Sequence, residues 1–201
     1  MPQIPIAVYA IPLADAAARG HIDCGVAKYN EFVAVYQSSE AIHSHLRLVV
    51  PAATNLALGL ELLLKLHHCQ QSGVFPRGHD IRVLGTTFNA ESMKRLRQIY
   101  ASQLAIPSLR QALNIQVSGG WHEGAPTAIE PDDDPEDYDH AVRAVGRGYE
   151  KWRYFYENIE SGLNVRVNFR ALLLLVGTMR EAVANYKGSN QVSISQEPPV
   201  T

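Results

Sequence analysis

Between Ala52 and Gln71 the chain carries Leu56, Leu58, Leu60, Leu62, Leu63, Leu64 and Leu66, which would cover almost every side of a helix. A helix apolar all round needs neighbours on every flank, so this segment predicts the central helix of a multi-helix domain. Its polar groups are not scattered. At about 100° per residue, Thr54, Glu61, Lys65 and His68 fall on one narrow stripe, and Gly73 stands where the helix should stop.

The neighbouring segments keep a helical period. From Gly25 to Val50, Val26, Tyr29, Val33, Tyr36, Ile42, Leu46 and Val49 recur at three-to-four spacing, with a break expected at Gln37-Ser38-Ser39. Pro51 fits either the first turn of a new helix or a kink in one long helix, because it lacks a donor and crowds the preceding turn. Asp80 predicts the N-cap of a short helix bearing Ile81, Val83, Leu84 and Phe88. Helices are also expected over Glu91 to Leu104, for a turn or two over Ser108 to Leu113, over Tyr138 to Ile159, and over Leu163 to Lys187 with Gly188 stopping the last.

From Gln116 to Asp137 the chain collects Gly119, Gly120, Gly124, Pro126, Pro131 and Pro135, which predicts one long irregular loop. No period-two run is long enough to predict a sheet. The expected fold is therefore all-α, an up-and-down bundle of four to five main helices. The expected layout is a partly irregular extension over residues 1–24, the helical domain over 25–188, and a tail over 189–201.

Composition narrows the function classes. Eighteen basic against twenty acidic side chains leave a net charge of -2, so no global basic field drives nucleic-acid binding and any such contact must be local. Two cysteines, Cys24 and Cys69, are too few for a secreted disulfide framework and lack zinc-module spacing. The apolar start, interrupted by Pro2, Pro5 and Pro12 with no basic residue ahead of it, makes a poor signal peptide. Glu61 and Lys65 cut the longest apolar run short of the roughly 20 residues a bilayer span needs. A cytoplasmic protein without a membrane segment is expected.

Several residues could carry chemistry. Glu61 and Lys65, four apart in the favourable order, form an intrahelical ion pair or, among so many leucines, mark a polar cavity shared with His79 and Arg153. His79-Asp80 reads as a loop corner in which Asp80 caps a helix and His79 bonds across to the next helix; alternatively His79 moves a proton while Arg153 holds a phosphate. Arg153 and Glu157, with Tyr149 and Tyr156 nearby, suit a solvated face, a dimer contact or a phosphate grip. His67-His68-Cys69 cannot jointly chelate an ion from adjacent helical positions. Asp132-Asp133-Asp134 lacks the glycine and terminal glutamate of a calcium loop. No metal and no cofactor is expected.

Three segments together resemble the HEPN superfamily: Asn55-Leu56-Ala57-Leu58-Gly59-Leu60-Glu61-Leu62-Leu63-Leu64-Lys65, then Arg77-Gly78-His79-Asp80-Ile81 with Leu84, then Arg153-Tyr154-Phe155-Tyr156-Glu157. The resemblance covers roughly Val26 to Lys187. It implies a dimeric helical bundle, in bacteria often tied to toxin-antitoxin or phage-defence systems, and a pocket drawn from Asn55, Glu61, Lys65, Asp80, Tyr154, Tyr156 and Glu157. RNA or a nucleotide is the implied ligand, and a nucleotidyltransferase an implied companion of some relatives. Active ribonucleases of that family carry an arginine followed several residues later by histidine. Here Arg153 is followed by Tyr154, Phe155, Tyr156, Glu157, Asn158, Ile159 and Glu160, so that pair is missing. The expectation is a noncatalytic homodimer that binds a partner protein or RNA, with an atypical metal-independent ribonuclease using His79 and Arg153 as the alternative.

Overall fold

The computed structural model describes residues 10–37, 42–110, 112, 114–118, 127–128, 135–153 and 164–186. The leucine-rich segment lies within helix α2 (Ile42–Ser72), 31 residues that extend about 46 Å at 1.5 Å per residue. Pro51 sits inside this helix, so of the two continuations open to it the chain takes the single long helix. The helix stops at Ser72, and Gly73, at φ 74°, closes it by donating its N–H to the Cys69 carbonyl at 2.8 Å.

Helix α1 (Ala10–Gln37) packs antiparallel against α2. It buries Ala18, Ile22, Gly25, Tyr29 and Phe32, an alternating four-and-three spacing that turns one stripe toward its neighbour. Of the stretch expected as a partly irregular extension, the part from Ala10 onward is helical, and Ala18 and Ile22 belong to the core. Helix α1 is described to Gln37 and α2 from Ile42; Ser38 and Ser39 of the expected break lie outside the described residues.

Two glycines set the separation of this helix pair. A Cβ on Gly59 would stand 2.5 Å from Cγ1 of Ile22 and 3.1 Å from the Ala18 carbonyl oxygen; one on Gly25 would stand 2.9 Å from the Leu56 backbone nitrogen. The backbones approach too closely for side chains at these positions. Between the two glycine contacts, Asn55 of α2 meets His21 of α1 at 3.0 Å and donates to the Pro51 carbonyl at 2.9 Å.

Three further helices and two short ones complete the bundle: α3 (Ile81–Thr86), α4 (Ala90–Gln103), α5 (Pro107–Arg110), α6 (Tyr138–Arg153) and α7 (Phe169–Ala184). The architecture is the expected mostly helical bundle, with α1, α2, α4, α6 and α7 as its main members. Helix α7 lies against α2, α4 and α6, and its Phe169 ring packs 4.8 Å from Tyr29 and 6.4 Å from Phe32. By length and apolarity alone Arg47–Ser72 passes for a membrane-crossing helix, but most of its apolar side chains are covered within the fold.

A small sheet corrects the expectation of a wholly irregular loop and of helix from Leu163 onward. Strands β1 (Asn114–Ser118), β2 (Thr127–Ala128) and β3 (Asn164–Asn168) form an antiparallel sheet in the order β2-β1-β3. Ile115 pairs with Val167, and both are buried. Each of β1 and β3 offers only two alternating apolar residues, so the pairing comes from the partner strand rather than from a long local pattern. Helix α7 therefore starts at Phe169, capped by Asn168, and ends at Ala184; the expected stop at Gly188 lies outside the described residues.

His67 on α2 is 3% exposed and contacts the rings of Phe88 and Tyr186. Burial, chiefly, holds its pKa below the usual imidazole value. The unfolded chain protonates His67 near about pH 6.5, whereas the folded chain does so only at lower pH. Between those values the unfolded state binds more protons, so stability falls as pH drops through that window. Urea midpoints between pH 7.5 and 5.5 should fall more steeply for the native chain than for His67→Gln.

The glycine contacts make an opposed pair of predictions. Gly59→Val should destabilise by about 1–3 kcal/mol through overpacking. Gly20→Ala, at an exposed helical site with nothing within 4 Å, should stabilise by about 0.5–1 kcal/mol through backbone entropy. Chemical denaturation of both variants measures the two signs.

Candidate functional site

The polar stripe of α2 faces α3 and the loop that leads into it. His68 stacks on Phe88 with centroids 4.0 Å apart and donates from Nε2 to the Leu84 carbonyl at 2.8 Å. Two turns earlier, Glu61 is only 4% exposed. A buried carboxylate must be paired to remain ionised, and Oε1 of Glu61 takes Lys65 Nζ at 2.7 Å and His79 Nδ1 at 2.8 Å.

Local sequence explains how His79 reaches it. Gly78 adopts φ 92°, a conformation that favours glycine, and turns the chain just ahead of His79. Asp80 then caps α3, accepting from the Arg82 backbone N–H at 2.8 Å. The Arg82 side chain grips the same carboxylate twice, at 3.1 and 2.8 Å, and its hydrogen bond is the main cause holding the Asp80 pKa below the usual carboxylate range. Arg82 in turn lies over Gly146 of α6, where a Cβ would strike its Cγ. Gly85 and the Tyr138 hydroxyl, bonded at 3.0 Å, join α3 to α6 one turn further on.

The three members of the cluster differ in exposure, and this decides what each can do. The side chains of Glu61 and Lys65 are 5% and 15% exposed, while that of His79 is 63% exposed. An ionised carboxylate only accepts, so the His79 Nδ1 carries the proton and the neutral ring has its lone pair on Nε2. Glu61 thereby fixes the tautomer of a surface imidazole.

The sequence-derived site residues are dealt with unequally by the fold. Glu61, Lys65 and His79 are brought together. Asp80 adjoins them, but its carboxylate serves the α3 cap and Arg82. Asn55 is not part of the cluster: six residues before Glu61, it is turned about 120° away on the helix and bonds His21. Arg153 is the last residue of α6, and its side chain lies outside the described residues, as do Tyr154, Tyr156 and Glu157. Sequence reasoning missed His21 and Arg82, although the Asp80-x-Arg82 spacing at a helix start was a usable signal.

A concavity of about 540 Å³ between α1, α2 and α7, lined among others by Leu63, Leu66, Arg19 and Arg180, does not include Glu61, Lys65 or His79. Among the described residues no group of three or more His, Cys, Asp or Glu side chains is placed to hold a metal ion. Set against models of known protein families, curated proteins and solved structures, the chain matches none of them.

Exposure ranks the Lys65 and His79 bonds to Glu61. Lys65→Met, which removes the well-covered partner, should cost about 1–3 kcal/mol. His79→Gln, at a largely exposed position, should cost under about 1 kcal/mol. Urea denaturation at neutral pH should reproduce that order.

Proposed function

We propose that this chain is a HEPN-like protein that acts as a homodimer by binding RNA or a partner protein, without catalysis of its own, in a toxin-antitoxin or defence setting. The observation that carries this reading is the hydrogen bond from His79 to Glu61, which ties together two of the three sequence segments behind the resemblance. The sequence after Arg153 supports the noncatalytic part, since no histidine follows within seven residues. With the overall charge at -2, an RNA contact would rest on a local surface rather than a global field.

Light scattering on purified protein at micromolar concentration should give a dimer mass, and an RNA turnover assay should give no rate above background. Monomer at every concentration would remove the dimeric reading.

A second reading is favoured by the His79 ring itself, exposed and oriented by a buried carboxylate. In it the chain is an atypical metal-independent ribonuclease or nucleotide-handling enzyme, with His79 moving the proton and Arg153 holding a phosphate. His79→Ala and Arg153→Ala should then each lower turnover by about 10²-fold or more. Unchanged turnover in both variants removes this alternative.

A further inference from the structure

We propose that His79 is a phosphoryl-accepting histidine, modified on Nε2 by a small acyl phosphate or phosphoramidate donor. The proposal goes beyond the binding role and stands on the geometry of the Glu61-Lys65-His79 cluster, whether or not RNA is a ligand.

Three features combine at this ring. The Nδ1–H is held by Glu61 Oε1 at 2.8 Å, so in the neutral imidazole the nucleophilic lone pair is confined to Nε2. The His79 side chain is 63% exposed, which gives a donor molecule access. The carboxylate behind it is 5% exposed and kept in place by Lys65 Nζ at 2.7 Å, which offsets part of its charge while little solvent screens what remains. Arg77, two residues before His79, is exposed and puts a cation along the same turn, whereas the Arg82 guanidinium is paired with Asp80.

The step balances without an added base. Nε2 attacks phosphorus, the N–P bond forms, and the P–O bond to the acyl group breaks, its electron pair leaving with the carboxylate product. With a phosphoramidate donor the P–N bond breaks instead, and the amine leaves with a proton from solvent. The ring becomes a phosphoimidazolium that retains its Nδ1 proton on Glu61. Positive charge thus develops on the ring directly beside a fixed negative charge, which lowers the barrier to the attack.

The test uses the full chain with acetyl phosphate, and separately with phosphoramidate. The label is mapped by mass spectrometry under alkaline conditions, and the isomer is read by ³¹P NMR. His79 in the folded chain should be labelled at least tenfold faster than the same residue in urea-unfolded chain, and only on Nε2. Simple exposure predicts the opposite order, because unfolding exposes every histidine. Glu61→Gln, checked for native circular dichroism, should slow labelling at least tenfold, and His79→Gln should abolish it at this site. A folded-state rate no greater than the unfolded one, or label on Nδ1, would overturn the proposal. So would an unchanged rate in a folded Glu61→Gln chain. None of these outcomes depends on dimer formation or RNA binding, so they fail or succeed separately from the proposed function.

Discussion

A helix with leucine on almost every side obliges the rest of the chain to surround it, and that requirement organises the fold. Helix α1 covers one flank of α2, α7 another, and α3 with its entry loop takes the flank that carries the polar stripe. The arrangement leaves Glu61 with little contact with water, so its charge is stabilised by protein groups. Lys65 supplies one from the next turn of the same helix. His79 supplies another from a loop whose path is fixed by Gly78 and by the Asp80 cap. Packing and chemistry meet here because one buried carboxylate serves both.

The α1-α2 contact shows the same economy in apolar terms. Gly25 and Gly59 let the backbones come close enough for Ile22 and Leu56 to sit against the partner helix itself. Dispersion contacts at that separation are dense, and little of the interface depends on long flexible side chains. His21 and Asn55 are the polar pair spanning this interface between the glycines; their hydrogen bond satisfies groups that half-burial would otherwise penalise.

Much of this was legible in residue spacing, for physical reasons that also explain the misses. The α2 stripe could be read because a 3.6-residue period places Glu61, Lys65 and His68 on one face regardless of context. The Asp80 cap and the Gly73 stop are local backbone effects, likewise independent of tertiary structure. Helix α1 starts at Ala10, well ahead of the helical spacing expected from Gly25, because Pro12 falls in its first turn, where a missing donor is tolerated, and Gly25 sits inside the helix in close contact with α2. The sheet was invisible because Asn114–Ser118 and Asn164–Asn168 are extended through each other, across 46 positions of sequence, rather than through a strong local preference. Asn55 was grouped with Glu61 by adjacency in a motif, but contiguity in print does not survive helical rotation.

The ladder between β1 and β3 runs from the Asn114-Asn168 pair to the Ser118-Asn164 pair, with α6 lying between the two strands in sequence. That helix is consequently an excursion tied shut at its base. The buried Tyr138, Ala141, Val142 and Val145 hold the same excursion into the bundle along its length, so the seat of Arg82 beside His79 rests on a helix secured both by packing and by strand pairing.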